Sequence, residues 1–278
     1  MIAAYKFIRL ESLPELKVRL SSLCEENELR GTILLSPEGI NLFIGGEVRH
    51  VEGFLDVLRA MRGFEDLEVK QSESSTRPFG RMFIKIKKQI ICFDDESIDP
   101  AQRTSPKLPA KTLKQWLDEG RPLTLLDTRN EYEVRIGTFA GAIDPGITNF
   151  RDWPAAVEKL SPSLKEEPVV IFCTGGIRCE KAGPYLEQQG FKNVLQLEGG
   201  ILKYFEECGG AHYNGECFVF DDRVSVDSQL REASTAVCSV CRAQLTPEDL
   251  RHPHYVWKES CQNCFGTGPT RSVIGATL

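Results

Sequence analysis

The chain has 278 residues and a net charge of −6, and 41% of its residues are hydrophobic and 27% charged. This length predicts more than one domain, and the composition excludes collagen-like, intrinsically disordered and membrane-spanning chains. The first residues have no basic start, long apolar stretch or small-residue cleavage site, so we expect a cytoplasmic protein. The negative net charge argues against indiscriminate nucleic-acid binding, and any such site must therefore be local.

Residues 1–92 alternate strand and helix patterns in the order βαββαβ, with one extra strand. This order predicts an α+β ferredoxin-like (acylphosphatase-like) domain, in which a small antiparallel sheet is backed by two helices. Basic side chains cluster near its end, where Glu73 is the acidic neighbour. They could contact RNA phosphates or simply form a solvated strand edge that lysines protect. The basic candidates for RNA binding are Arg77, Arg81, Lys85, Lys87 and Lys88.

The pattern changes twice further along the chain. Residues 93–112 are acidic and then proline-rich, which is typical of a linker. In residues 113–210, apolar strands alternate with helices and predict an α/β domain whose parallel sheet is covered on both faces. Residues 211–278 form a short Cys-rich C-terminal segment with few long apolar runs.

Cys173 lies at the carboxyl end of an apolar strand and directly before a helix. Gly175 and Gly176 let the connecting loop curl, so that backbone N–H groups point towards the sulfur. The positive end of the helix dipole and the charge of Arg178 also favour a thiolate. We therefore predict that Cys173 is nucleophilic at neutral pH, the alternative being a buried structural cysteine before a glycine turn. Cys179 is either a resolving thiol for Cys173 or a small residue at the helix start.

The chain contains ten cysteines, which without a secretion signal indicate metal ligands or reactive thiols rather than disulfides. Two Cys-x2-Cys pairs separated by 19 residues have the spacing of a structural zinc site with four thiolate ligands. A segment this short buries little core, so a metal would stabilise it. The predicted ligands are Cys238, Cys241, Cys261 and Cys264, with four unligated thiols as the alternative. Cys208 and Cys217 are a second thiol pair near Cys173 or part of a plain loop.

Four segments, residues 125–133, 141–143, 173–178 and 197–201, resemble the successive motifs of a rhodanese domain. The resemblance implies that Cys173 carries a persulfide and that Asp127 and Arg129 form a buried structural pair. Arg178, whose charge favours the thiolate, is the second residue that we predict to be catalytic. It assigns the loop and helix start to Thr174, Gly175, Gly176, Ile177 and Cys179. The family's Gly-His-Ile is Gly137-Thr138-Phe139 here, a departure that leaves the nucleophile in place. The six-residue loop is one residue shorter than that of cysteine phosphatases, which argues against phosphatase activity.

Residues 36–41, 173–182 and 218–223 are similar to the bacterial tRNA uridine hydroxylase family, TrhO, and extend the resemblance over nearly the whole chain. This resemblance implies an oxidoreductase that converts the wobble uridine (U34) in the anticodon loop of tRNA to 5-hydroxyuridine. Molecular oxygen would be the co-substrate, and Cys173 would be required. No flavin, haem or 2-His-1-carboxylate iron motif is evident, so the activation of oxygen stays open. After Asn41 the family usually has Gly-Thr, whereas this chain has Leu42-Phe43.

Two other functions remain open at this point. A persulfide on Cys173 would also suit a sulfurtransferase that passes sulfur to cyanide or to an acceptor protein. A degenerate rhodanese domain with a zinc-binding tail could instead mediate contacts without catalysis, although an intact Cys173 loop argues against it. The sequence does not indicate an oligomeric state.

Overall fold

The computed structural model describes residues 1–72, 79–221, 223–233, 235–241, 243–245 and 248–266. These residues fold into two compact units. The first contains the described residues of Met1–Ser105 and Phe220–Asp222, and the second those of Pro106–Val219 and Arg223–Leu278. Within the described part of the chain, every helix is too short or too polar to cross a membrane.

The first unit contains five strands and two helices. In chain order they are β1 (Ile2–Phe7), α1 (Leu13–Glu26), β2 (Arg30–Ser36), β3 (Gly39–Gly45), α2 (Val48–Arg59), β4 (Val69–Gln71) and β5 (Met82–Ile86). The strands form one sheet in the order β4-β1-β3-β2-β5. The prediction of an antiparallel sheet is wrong for one pair, because β5 runs parallel to β2. Strands β4 and β5 lie at opposite edges of the sheet, so the chain crosses from one edge to the other between them. A crossover of this kind lets β5 run parallel to β2.

The core of the first unit lies between one face of this sheet and the two helices. Strand residues that alternate along the chain, such as Ile33 and Leu42, are fully buried there. Phe54 and Leu58, one helical turn apart on α2, fill the same core. Burying side chains of this size contributes roughly 1.5–3 kcal/mol each. Every second residue of the strands and the residues one turn apart on the helix therefore pack against each other in one apolar layer.

The second unit begins with a parallel sheet and its helices. Its larger elements are β6 (Lys107–Leu108), α3 (Ala110–Asp118), β7 (Thr124–Asp127), α4 (Glu131–Val134), β8 (Gly137–Phe139), α5 (Trp153–Val157), β9 (Pro168–Phe172), α6 (Cys179–Gln188), β10 (Asn193–Leu197) and α7 (Gly200–Cys208). Four strands pair in the order β6-β10-β9-β7, and every pair is parallel, which confirms the predicted parallel sheet. The apolar strand β9 is central, as expected for a strand covered on both faces.

Short strands complete the second unit. They are β11 (Tyr213–Gly215), β12 (Cys217–Phe218), β13 (Ser225–Val226), β14 (Ala236–Val237) and β15 (Gln244–Leu245). Strand β11 pairs with β8, β12 with β13, and β14 with β15. The last pair belongs to a small separate core that contains Leu245 and four cysteines.

Candidate active site and metal centre

The loop after β9 wraps around the sulfur of Cys173. The backbone N–H of Gly176 donates a hydrogen bond to Cys173 Sγ at 3.0 Å. Gly176 has φ +103°, a conformation that favours glycine and that turns this N–H inward. The Cys173 side chain is fully buried. The loop between β9 and α6 therefore buries the sulfur and places the Gly176 N–H against it.

The start of α7 supports the loop from behind. The backbone N–H of Ile201 donates to the carbonyl oxygen of Cys173 at 2.9 Å, and that of Leu202 donates to the carbonyl of Thr174 at 3.1 Å. Gly200 makes this approach possible, because a Cβ atom there would lie 2.5 Å from the carbonyl oxygen of Cys173. Its φ of +69° independently favours glycine. Residues about 27 positions downstream thus set the position of the reactive loop.

Arg178 forms a bidentate ion pair with Glu133, a residue to which sequence reasoning gave no role. The guanidinium nitrogens lie 2.5 and 2.7 Å from the two carboxylate oxygens, and both side chains are buried. Glu133 also accepts the backbone N–H of Asn130 at 3.1 Å, at the start of α4. Such fork-like pairing fixes the orientation of the guanidinium. Glu133 lies within the rhodanese-like segment 125–133 and Arg178 is a predicted site residue, but nothing in the sequence indicates that these two residues, 45 positions apart, form a pair.

The surroundings of Cys173 favour its thiolate form. Burial alone would raise the pKa of the Cys173 thiol. A hydrogen bond from the Cys179 thiol, the charge of Arg178 and backbone N–H donors outweigh this effect and lower the pKa to about 5. At neutral pH the sulfur is therefore a thiolate, which is the nucleophilic form of cysteine.

Cys179 is the proton-bearing partner of this thiol pair. It is fully buried at the first position of α6, and burial together with the neighbouring Cys173 raises its pKa well above the ordinary value. Its Sγ also lies 3.8 Å from the hydroxyl oxygen of Thr128. Cys179 thus acts on the pKa of Cys173 and Cys173 acts on the pKa of Cys179, which bears on both predicted alternatives for this residue.

Asp127 and Arg129 form a separate buried pair at the end of β7. Arg129 Nη2 lies 2.7 Å from Asp127 Oδ2 and also donates to the carbonyl of Gly137 at 2.6 Å. Thr138, which stands where rhodaneses have histidine, donates its hydroxyl to Asp127 at 2.8 Å. Both charged side chains are fully inaccessible to solvent. These hydrogen bonds link the end of β7 to β8, and a structural role for the pair stays a prediction.

Two other cysteines of this unit are neutral thiols. Cys217 is buried in the core of the second unit, and burial raises its pKa to about 12. Cys208, at the end of α7, is partly buried and its pKa is also raised, chiefly by burial. Neither has the lowered pKa of a reactive thiol, so a redox role for this pair stays a prediction without support from their surroundings.

The four C-terminal cysteines converge in space. The sulfur atoms of Cys238, Cys241, Cys261 and Cys264 all lie within 4.8 Å of one another. Individual Sγ–Sγ distances are 3.8 Å for Cys238–Cys264, 3.5 Å for Cys241–Cys261 and 3.9 Å for Cys261–Cys264. No disulfide joins them. This cluster could bind a metal ion, with one thiolate from each residue.

The predicted RNA-binding residues lie in and around the edge strand β5. The side chains of Arg81, Lys85, Lys87 and Lys88 are exposed, as phosphate contacts would require. Arg77 lies outside the described residues. Lys85 Nζ lies 5.3 Å from the centre of the Phe83 ring, so a basic and an aromatic side chain stand side by side here.

Comparison with known proteins agrees with this architecture. Residues 1–90 match the UPF0176 acylphosphatase-like domain and residues 109–207 the rhodanese-like domain. Proteins named tRNA uridine(34) hydroxylase are similar over nearly the whole chain. One from Cupriavidus necator is 45% identical over 96% of both chains. Those from Cupriavidus taiwanensis and Burkholderia ambifaria are 46% and 45% identical, over 95% of this chain and 96% of their own.

Proposed function

This chain belongs to the tRNA uridine(34) hydroxylase family, and we propose that it hydroxylates C5 of uridine 34 in tRNA with Cys173 as its reactive thiol. The observation that carries the assignment of the thiol is its environment. Cys173 is buried, accepts the Gly176 N–H at 3.0 Å and has its pKa lowered to about 5. A cysteine with these neighbours is a thiolate at neutral pH without a separate general base.

The chemistry follows from the structure of uracil. Its C5–C6 double bond is conjugated with the C4 carbonyl, so C6 accepts a nucleophile. In the proposed step the sulfur forms a bond to C6, and the electron pair of the double bond moves towards C5 and O4. C5 then becomes electron-rich and bonds to one oxygen atom of O2, which gives a hydroperoxide. A thiol reductant supplies two electrons and two protons, so that the O–O bond breaks, the outer oxygen atom leaves as water and the thiols become a disulfide. Loss of the C5 proton with expulsion of the sulfur from C6 then restores the ring with its new hydroxyl group. Molecular oxygen is the co-substrate in this proposal.

Burial of Cys173 favours a persulfide as the attacking group. Its side chain has no accessible surface, so a base does not reach the Cys173 sulfur directly in this structure. A second sulfur would extend the nucleophile by about 2 Å, the length of a sulfur–sulfur bond. The rhodanese-like match over residues 109–207 supports the same view, because the Cys173 loop lies within it. The addition to C6 is otherwise unchanged.

Uridine 34 lies in the single-stranded anticodon loop, where an enzyme can reach the base. Bases in a single-stranded loop can be splayed out of the stack at low cost, and a base inside a duplex cannot be reached in this way. We propose that Arg77, Arg81, Lys85, Lys87 and Lys88 contact phosphates of the tRNA. Reversing two or more of the exposed lysines should then weaken tRNA binding and flatten its dependence on salt. Unchanged binding would exclude this footprint. Because its substrate is tRNA, we propose a cytoplasmic enzyme.

The decisive test is nucleoside mass spectrometry on tRNA from cells that lack this gene. Cells complemented with the natural chain should contain 5-hydroxyuridine, and cells complemented with Cys173→Ser should not. Cys92→Ser, at a partly buried cysteine without a proposed role, is the matched control and should restore the nucleoside. An assay without oxygen should give no product. If Cys173→Ser restores 5-hydroxyuridine fully, the assignment of the thiol is wrong.

A second experiment tests the addition step itself. A tRNA with 5-fluorouridine at position 34 cannot lose a proton from C5, so an adduct to C6 should persist. We expect a covalent complex between this tRNA and the natural chain, with Cys173 as the modified residue in peptide mass spectra. Cys173→Ser should form none. Repeated failure to trap the complex with an enzyme that hydroxylates tRNA would contradict addition by sulfur.

We propose that the four-cysteine cluster holds a structural zinc ion. Four sulfurs at about 2.3 Å from a tetrahedral zinc lie about 3.8 Å apart. Three pairs of these sulfurs are 3.5 to 3.9 Å apart, and all four lie within 4.8 Å of one another. Four protein ligands leave no open position, so the ion would stabilise the fold of the C-terminal segment and take no part in the reaction. The ligands would be Cys238, Cys241, Cys261 and Cys264.

Sulfur transfer is the second candidate function, favoured by the rhodanese-like domain and its buried loop cysteine. A persulfide on Cys173 could pass its outer sulfur to cyanide or to an acceptor thiol. Rapid turnover of thiosulfate and cyanide, with tRNA unaffected by loss of the gene, would select this function. Slow turnover, together with loss of 5-hydroxyuridine, would select the hydroxylase.

A further inference from the structure

We propose that the sheet of the first unit binds unpaired tRNA bases through aromatic side chains on the face opposite its helices. This inference rests on the proposed function, since it takes tRNA as the substrate. We call the surface the aromatic face and define it as Tyr5 on β1, Phe43 on β3 and Phe83 on β5, with Lys70 and Lys85 beside them.

Strand register places these residues on one face. One row across the sheet contains partners from all five strands, and it reads Lys70, Ala3, Phe43, Thr32 and Phe83. The next row on the same face contains Tyr5, Asn41, Leu34 and Lys85. Residues between these two rows, such as Ala4 and Leu42, point into the helix-covered core. Aromatic residues 78 positions apart in the chain thus share one surface.

Part of this face is closed, and part is accessible. Ile90, in the segment after β5, is buried, and its carbonyl oxygen accepts a hydrogen bond from the Asn41 side chain at 3.4 Å. In the other row, Phe83 is 47% exposed. The Phe43 ring is partly exposed, and the Phe220 ring lies 6.3 Å from it. The open row therefore presents two rings about two strand spacings, or roughly 10 Å, apart.

Each outer aromatic ring has a lysine close to it. Lys70 Nζ lies 5.4 Å from the centre of the Tyr5 ring, and Lys85 Nζ lies 5.3 Å from the centre of the Phe83 ring. Both charged residues in the two rows are lysines. The pairing of a flat apolar ring with a nearby positive charge matches a nucleotide, which combines a flat base with a phosphate. A duplex would offer its phosphates alone, because its bases are stacked inside.

The occupant is therefore a single-stranded segment of the tRNA, which the lysines hold by its phosphates while the rings stack on its bases. Stacking of a base on an aromatic side chain is sequence-tolerant, so this face contributes affinity and orientation rather than base identity. A four-stranded sheet that stacks bases on aromatic rings is a known way of binding single-stranded RNA.

The test compares side chains at position 83 by fluorescence anisotropy with labelled tRNA at fixed salt. Phe83→Leu keeps an apolar side chain but removes the ring, and we expect its Kd to rise about tenfold. Phe83→Trp keeps a ring and should bind within about twofold of the natural chain. Val18→Ala, at an exposed apolar residue on α1, is the matched control and should leave the Kd unchanged. Thermal unfolding of each variant checks that the fold is intact.

Salt dependence and a duplex competitor make the test specific. Lys85→Gln should reduce the slope of log Kd against log salt by about one, and Phe83→Leu should weaken binding without changing this slope. An RNA duplex without a loop should bind the natural chain and Phe83→Leu equally. Equal weakening of the tRNA and the duplex, or an unchanged Kd for Phe83→Leu with tRNA, would overturn the proposal. Binding of another protein that is lost in Phe83→Leu, while tRNA binding is unchanged, would also overturn the proposal.

The outcomes separate this inference from the proposed function. Cys173→Ser should bind tRNA as the natural chain does while forming no 5-hydroxyuridine. If the natural chain hydroxylates tRNA and Phe83→Leu binds tRNA normally, the proposal for the aromatic face is wrong and the hydroxylase function is supported. If Phe83→Leu weakens tRNA binding but the natural chain forms no 5-hydroxyuridine, the role of the aromatic face is supported and the hydroxylase function is contradicted.

Discussion

Replacing Cys179 by alanine removes the thiol that donates a hydrogen bond to the Cys173 sulfur. A hydrogen bond to a charged acceptor is worth about 1.5–3 kcal/mol, and 1.36 kcal/mol corresponds to one pKa unit. We therefore expect the pKa of Cys173 to rise from about 5 to about 6–7 in Cys179→Ala. The charge of Arg178 and the Gly176 N–H remain, so the value should stay below that of an ordinary thiol.

Thiolate absorbance near 240 nm measures this pKa without requiring a reagent to reach the buried sulfur. Each titration is corrected with the same chain carrying Cys173→Ser, so that the difference reports Cys173 alone. Cys179→Ser is the matched control, because its hydroxyl can donate to the same sulfur and should keep the pKa close to that of the natural chain. A pKa that stays near 5 in Cys179→Ala would refute the role of the Cys179 thiol as a donor.

The same substitution predicts a change in the pH dependence of hydroxylation. Both direct attack by Cys173 and its conversion to a persulfide require the thiolate, which exists above the pKa of Cys173. Activity should therefore be lost as the pH falls through that value. In the natural chain the loss should occur near pH 5, and in Cys179→Ala it should move to about pH 6–7. A merely structural role would lower activity at every pH and leave the profile in place. An unmoved profile with reduced activity would therefore assign Cys179 to packing.

Three further substitutions test the supports of the site and the metal. Glu133→Gln removes the carboxylate charge from a buried ion pair and should lower the free energy of unfolding in urea by about 3–5 kcal/mol. Glu131→Gln, in an exposed pair, should cost less than about 1 kcal/mol. Gly200→Ala drives a methyl group against a loop carbonyl and should abolish hydroxylation; Gly190→Ala, also at positive φ but with open space around it, should not. Cys261→Ser should abolish bound zinc in elemental analysis, and retention of a full equivalent would exclude the four-sulfur site.

Much of the active loop could be predicted because its pattern is local. An apolar strand, a cysteine, two glycines and an arginine before a helix follow one another within a few residues, and each acts on its neighbours through the backbone. The thiolate prediction for Cys173 and the inward N–H of Gly176 follow from that order. The two Cys-x2-Cys pairs are equally local, since each pair lies on one turn. Their convergence was inferred from spacing alone, and the sulfur positions agree with it.

The remaining features depend on contacts between distant parts of the chain. Glu133 meets Arg178 because α4 packs beside the loop, and an acidic residue 45 positions upstream has no local signal for this pairing. The parallel pairing of β5 with β2 likewise depends on where the chain crosses the sheet, so period-two alternation predicts the strand but not its direction.

The sequence by itself therefore determined the pattern of the Cys173 loop, the two Cys-x2-Cys pairs and the order of strands and helices, because neighbouring residues act on one another through short-range backbone geometry. Only the tertiary structure decided which carboxylate holds Arg178, that Gly200 supports the loop, and that Tyr5, Phe43 and Phe83 share a surface. These decisions come from the packing of elements far apart in the chain. Many pairings satisfy the same local pattern, and the closest packing of buried side chains selects one of them.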